Sequence, residues 1–241
     1  MKKLVIAFFS IILLGVACKK EAEDVLDEYA EDTMIFPEDL GDYDGLFLAV
    51  RNYIGNVEVE NKAITQDFAY AQMMNPDFVD VGAVLLNGSL LVKLPTHQYF
   101  SLLDNHDFKL NEGKQSKWEI KGGNGFQQFS KSLSIRMPGL VTFKESPSAI
   151  NLAESITLRI EDYPSHADGV IWILRDIDEK TIQIESKTTE VTISAAELGE
   201  LRPGAKSLIK VVAYSTEKWE NGGKRYVFLN ETAEVLNVAF N

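Results

Sequence analysis

The chain has 241 residues, 45% hydrophobic and 10% aromatic, with 36 acidic against 24 basic side chains and a net charge of −12. An acidic chain with no basic cluster excludes electrostatic attachment to nucleic acid or to anionic headgroups, because their phosphates require clustered Lys and Arg. The single cysteine excludes an intrachain disulfide, and the apolar fraction is ample for packed cores.

In chain order, a basic start, Met1-Lys2-Lys3, leads into an apolar run from Leu4 to Ala17 broken only by Ser10. A helix crossing the hydrocarbon layer needs about 20 such residues. The shorter run with its basic start and small-residue end predicts a secretion signal over residues 1–17. Loss of Lys2 and Lys3 with it leaves a mature chain two charges more acidic.

The run closes Leu14-Gly15-Val16-Ala17-Cys18. This resembles the lipobox of bacterial lipoproteins, with Gly15 standing where leucine is usual. The resemblance implies cleavage before Cys18 and a diacylglyceryl thioether on its sulfur, with palmitate-type acyl chains as a membrane anchor. Each buried methylene of such a chain contributes roughly 0.8 kcal/mol. Residues 19–35 form an acidic tether, with seven carboxylates between Glu21 and Asp32 and little to bury. Lysines and acidic residues directly after the lipidated cysteine resemble the surface-export signal of Bacteroidota lipoproteins. That implies an outer-membrane anchor with the chain exposed at the cell surface, a periplasm-facing orientation being the alternative. Asp32-Thr33-Met34 also resembles the O-glycosylation site of these bacteria.

From Phe36 the pattern is β. Apolar runs at Leu46–Val50, Asn56–Val59 and Asp67–Met73 are followed by Val81–Leu94, in which Asn87-Gly88 divides two apolar arms. That dipeptide predicts a hairpin, because a type I′ turn needs positive φ at both central residues. Further strands are expected at Gln98–Leu103, Lys117–Lys121 and Phe129–Arg136, the last two joined by a flexible Gly122–Gly125 loop. In the second half, Ser155–Glu161 alternates strictly. Strands follow at Val170–Arg175, Thr181–Ile184, Glu190–Ile193, Leu208–Ser215, Tyr226–Leu229 and Ala233–Phe240. Ala195–Leu201 is at most one helical turn. Short strands at this spacing predict an all-β protein of two tandem antiparallel β-sandwich domains, residues 36–140 and 141–241. The number and order of strands in the second resemble an immunoglobulin-like domain, which implies that Trp172 is its core tryptophan. Trp118 is expected to be buried as well.

The candidate chemistry is sparse. Asp104-Asn105-His106-Asp107 sets a histidine among carboxylates that could ligate a divalent ion or serve as base and orienter, and the same residues are ordinary turn formers. Gly122–Gly125 lacks the Lys-Ser/Thr of a phosphate loop, and Asp42-Tyr43-Asp44-Gly45 is a fragment of a calcium loop. No cofactor motif, nucleophile elbow or HExxH zinc motif is present. Trp219 is expected in a polar hairpin loop, Thr216–Gly223, where its ring either stacks on a sugar or folds back onto the sandwich. The expected role is therefore a non-enzymatic binding or assembly module at the envelope, with a protein or glycan partner. The alternatives are a glycan-binding accessory lipoprotein of a nutrient-uptake system and a metal-dependent hydrolase centred on His106.

Overall fold

Among the described residues, nearly every one with a regular backbone lies in one of fifteen strands, as the alternating pattern demands. A computed structural model describes residues 36–37, 39–59, 62–101 and 110–241, including side chains except at 54–59 and 62–64. Cys18 and His106 lie outside the described residues, as do Asp104 and Asp107.

The longest elements are β14 (Gly204–Asn221) and β15 (Lys224–Phe240), which form one antiparallel hairpin. Gly222 and Gly223 make its turn at φ of 60° and 75°, a conformation that the missing Cβ allows. Along one edge of β15 runs β1 (Gly45–Val59), parallel, from Gly45 beside Tyr226 to Ile54 beside Val235. The far end of that edge takes β9 (Ala149–Ile150) at Ala239 and Phe240. The sheet continues through β2 (Lys62–Met73) to β6 (Tyr99–Phe100) and β5 (Val92–Lys93). Beyond β14 it extends to β11 (Gly169–Arg175) and β12 (Thr181–Ser186). Nine strands thus form one sheet shared by the two halves of the chain.

Two smaller layers cover one face of this sheet. The first is β4 (Ser89–Leu90), β3 (Val84–Leu86), β7 (Gln115–Ile120) and β8 (Phe129–Arg136). The second is β10 (Ile156–Arg159) with β13 (Glu190–Ile193), followed by the single-turn helix α1 (Ala195–Leu198). Ser194 caps α1 in a reciprocal box with Glu197. The predicted Asn87-Gly88 turn joins β3 and β4 at φ of 51° and 85°.

Each layer encloses its own core. The first core draws on residues 47–137 and, from the terminal hairpin, on Tyr226 and Phe228. It is aromatic: the Phe47 ring lies 5.0 Å from Trp118 and 4.9 Å from Phe228. The second uses residues 141–240 and is mainly aliphatic around the fully buried Trp172. Alternation along β15 explains how one strand serves both. Tyr226 and Phe228 point into the first core, while Leu236, Val238 and Phe240 point, on the same face, into the second.

The first core takes its members from residues 47–137 and the second from 141–240, except for the hairpin tip, which crosses back to the first. In the second half, β12-β11-β14-β15 with β9 parallel to β15 faces β10-β13. That is the strand order of an immunoglobulin-type sandwich, with Trp172 on its third main strand.

Two expectations need correction. The strands expected at 208–215, 226–229 and 233–240 are segments of two continuous ones, and those at 46–50 and 56–59 are segments of β1, because cross-strand pairing carries through the residues between them. Trp219 is consequently not in a loop but near the end of β14, paired with Tyr226.

Candidate functional site

On β15 the positions between the two cores are polar: Asn230, Thr232 and Glu234, all buried. Each holds a partner across the waist. Asn230 Oδ1 accepts from Ser116 Oγ at 3.2 Å, Thr232 Oγ1 donates to the Gly139 carbonyl at 2.8 Å, and a Glu234 carboxylate oxygen accepts the Phe143 N–H. These bonds fix the connection that passes from the first layer to the second. Burial raises the Glu234 carboxyl, and the bond from Phe143 opposes that rise.

Other carboxylates are likewise bound to backbone. Glu217 on β14 reaches the outer edge of β8, where it accepts the Ser134 and Ile135 N–H groups and pairs with Lys131 at 2.6 Å. Asp176 is buried at the turn between β11 and β12. Desolvation pushes it up, yet three backbone N–H groups, of Arg202, Lys180 and Asp178, hold its carboxyl below the ordinary range. Lys93, with Gly82 N–H and the Tyr99 hydroxyl, draws Asp80 down to about 2. Asp44, from the fragment that resembled a calcium loop, accepts the Arg225 N–H at 2.8 Å and pairs with Lys224. Its carboxyl is lowered by those contacts.

The opposite face of the nine-stranded sheet is buried too. It carries Leu48, Val50, Ile171, Val212 and Leu229, and among them the ionisable Lys210 and Glu231. Burial raises the Glu231 carboxyl to about 8 against the opposing influence of Lys210.

The residues singled out by sequence are not brought together. His97 and His166 are exposed turn residues at φ of 65° and 63°. Among the described residues no group of three His, Cys, Asp or Glu side chains could hold a metal ion. No described helix is long and apolar enough to cross a membrane. Trp219 is half-buried against the first core: its ring lies 5.1 Å from Phe129, edge to face, and 5.5 Å from Tyr226. Lys131 Nζ stands 5.6 Å over the same ring. An open cleft of about 370 Å³ beside Leu85, Glu119, Lys121, Gln128 and Ser130 is polar at its rim and contains Phe129 but not Trp219. The waist and the Glu217 clamp gave no signal in the sequence, because their partners lie 91 and 83 positions away.

No family model matches the chain, and no curated protein matches it. One similar solved structure is described as the crystal structure of Dscam1 isoform 8.4, N-terminal four Ig domains. The identity is 10%, over 86% of this chain and 46% of that one, with a TM-score of 0.26. This chain thus spans less than half the length of that structure. A likeness at this level carries no functional argument; the sandwich assignment stands on the strand ladders themselves.

Proposed function

We propose that this chain is a non-enzymatic lipoprotein that presents a β-sandwich body for binding or assembly at the bacterial outer membrane. The observation that carries the reading is the N-terminal sequence: a short apolar signal ending in Leu14-Gly15-Val16-Ala17 before the sole cysteine, Cys18, then an acidic tether. A thioether at Cys18 gives the only thiol its role, and two or more acyl chains make a stable anchor where one does not. The acidic stretch fits a solvated spacer on an exposed protein, with export to the cell surface as the proposed orientation. Several carboxylates of the body hold backbone N–H groups, which supports a scaffold that displays surface.

Metabolic labelling with a palmitate analogue tests the anchor. Label should enter the wild-type chain and be lost in Cys18→Ala, which moves to the soluble fraction; label retained by Cys18→Ala overturns the reading. Protease shaving of intact cells reports the orientation. A glycan-binding role for Trp219 requires its ring to leave Phe129 and Tyr226. It stands only if affinity-gel retardation is seen in the wild type and disappears in Trp219→Ala.

A further inference from the structure

Among the described residues, six strands stand at the ends of the three sheets: β12 and β5, β4 and β8, β10 and β13. Exposed strand edges invite pairing with other chains, and proteins blunt them by shortness, charge, proline, bulges or covering groups. Here β4 and β5 have two residues each, and β10 and β13 four each. The edge of β8 is sealed by Glu217 on the N–H groups of Ser134 and Ile135 and by Ser215 Oγ on the Arg136 carbonyl. β12 differs. It runs six residues, Thr-Ile-Gln-Ile-Glu-Ser, in regular register with β11 and without proline, lysine or bulge. No other described strand pairs with its outer side.

We propose that β12 pairs with β12 of a second copy of this chain, antiparallel and centred on Gln183, so that two nine-stranded sheets become one across a twofold axis. The charges select this partner and this register. In an antiparallel pair, opposed residues share a face, so the twofold falls on a residue. Centred on Gln183, Ile182 lies beside Ile184 of the second copy on the core side, and Thr181 lies opposite Glu185. Just beyond the strand, Glu179 meets Lys187 of the second copy, twice by symmetry. Both are exposed, and neither has an ion pair among the described residues. Moving the axis to Ile182 sets Glu179 against Glu185, and centring on Glu185 places that carboxylate against itself; like charges directly opposed disfavour both. Moving the axis to Ile184 sets Lys187 against Thr181 and Glu179 against Thr189, which forfeits both ion pairs.

An edge of this length buries less than a standard interface, so association is expected only above about 10 µM. The inference does not rest on the lipid anchor, and labelling and association can each fail alone.

Sedimentation of the full chain carrying Cys18→Ser, which removes the lipid, tests it up to about 1 mM. The expected result is a concentration-dependent dimer. Glu179→Lys and Lys187→Glu each weaken it about tenfold or more by turning two attractions into two repulsions, and the double reversal restores it. Both positions are exposed, and the restored double variant shows that neither change acts through unfolding. Gln183→Cys should oxidise to a disulfide-linked dimer, since residues opposed on the axis lie within disulfide reach. A monomer at all concentrations overturns the proposal and assigns the edge to a strand of a different protein. A dimer indifferent to both charge reversals, with no crosslink in Gln183→Cys, overturns it equally.

Discussion

The two cores lie on one face of the same hairpin yet are assembled differently. The second gathers residues 141–240, an almost unbroken stretch of chain. The first takes β1, β2, β3, β7 and β8 from the N-terminal half and completes itself with Tyr226 and Phe228 from the other end. The second can close within residues 141–240, while the first must wait for a strand from the far terminus, at a larger loop-closure cost. Separation into two chain segments is therefore asymmetric in its effect.

The largest test of this contrast is dissection. A fragment of residues 36–140 loses the parallel partner of β1 together with Tyr226 and Phe228. It should show no cooperative unfolding by circular dichroism, whereas residues 141–241 keep every buried member of the second core and should fold with a loosened hairpin tip. Cooperative folding of the first fragment would break the contrast. Next in size, Phe47→Ala and Trp172→Ala each remove a fully buried ring and should cost about 3–5 kcal/mol. Because β14 and β15 run through both cores, each variant should still give one transition in urea; two separated transitions would show that the cores are independent.

At the waist, Glu234→Ala leaves the buried Phe143 N–H without its acceptor and should cost about 1–3 kcal/mol, whereas Glu234→Gln retains an acceptor and costs less. Trp219→Ala is smaller, about 1–2 kcal/mol, since the ring is half-buried and its loss chiefly removes contacts with Phe129 and Tyr226. Last, the raised carboxyl of Glu231 sets a pH dependence. Its folded-state value of about 8 lies above the ordinary 4.5, so its contribution is full below about 4.5 and is lost as pH rises through about 8. Relative to Glu231→Gln, the wild type should lose stability across that window. Parallel stability curves for the two proteins would remove Glu231 from the account.

Much of this architecture was legible because alternation and turn chemistry act locally. Trp118 and Trp172 sit on alternating or continuous apolar strands, Asn87-Gly88 demands its turn, and Ala195–Leu201 has room for no more than one helical turn. The lengths of β14 and β15 were hidden. Thr216, Glu217, Asn230 and Glu231 read as loop or strand end, and only their long-range partners show them to be strand. The parallel pairing of β1 with β15 joins residues 181 positions apart, and no local signal encodes it. For the candidate site the order is reversed. The chemistry proposed for Cys18 comes wholly from its sequence neighbours, whereas β12 was readable as a strand but not as the end of a sheet.

The parallel pairing of β1 with β15 also has a mechanical meaning. Asp39 lies beside Lys218 near the hairpin tip, and from there the chain enters β1 at Gly45. A pull on that end runs along the strand axis, against a β15 rooted at Phe240 in the second core. The ten register pairs from Gly45 to Ile54 are then strained in shear, all together, instead of being unzipped one after another. A body joined in this way transmits tension from its N-terminal end through both cores before any strand lets go.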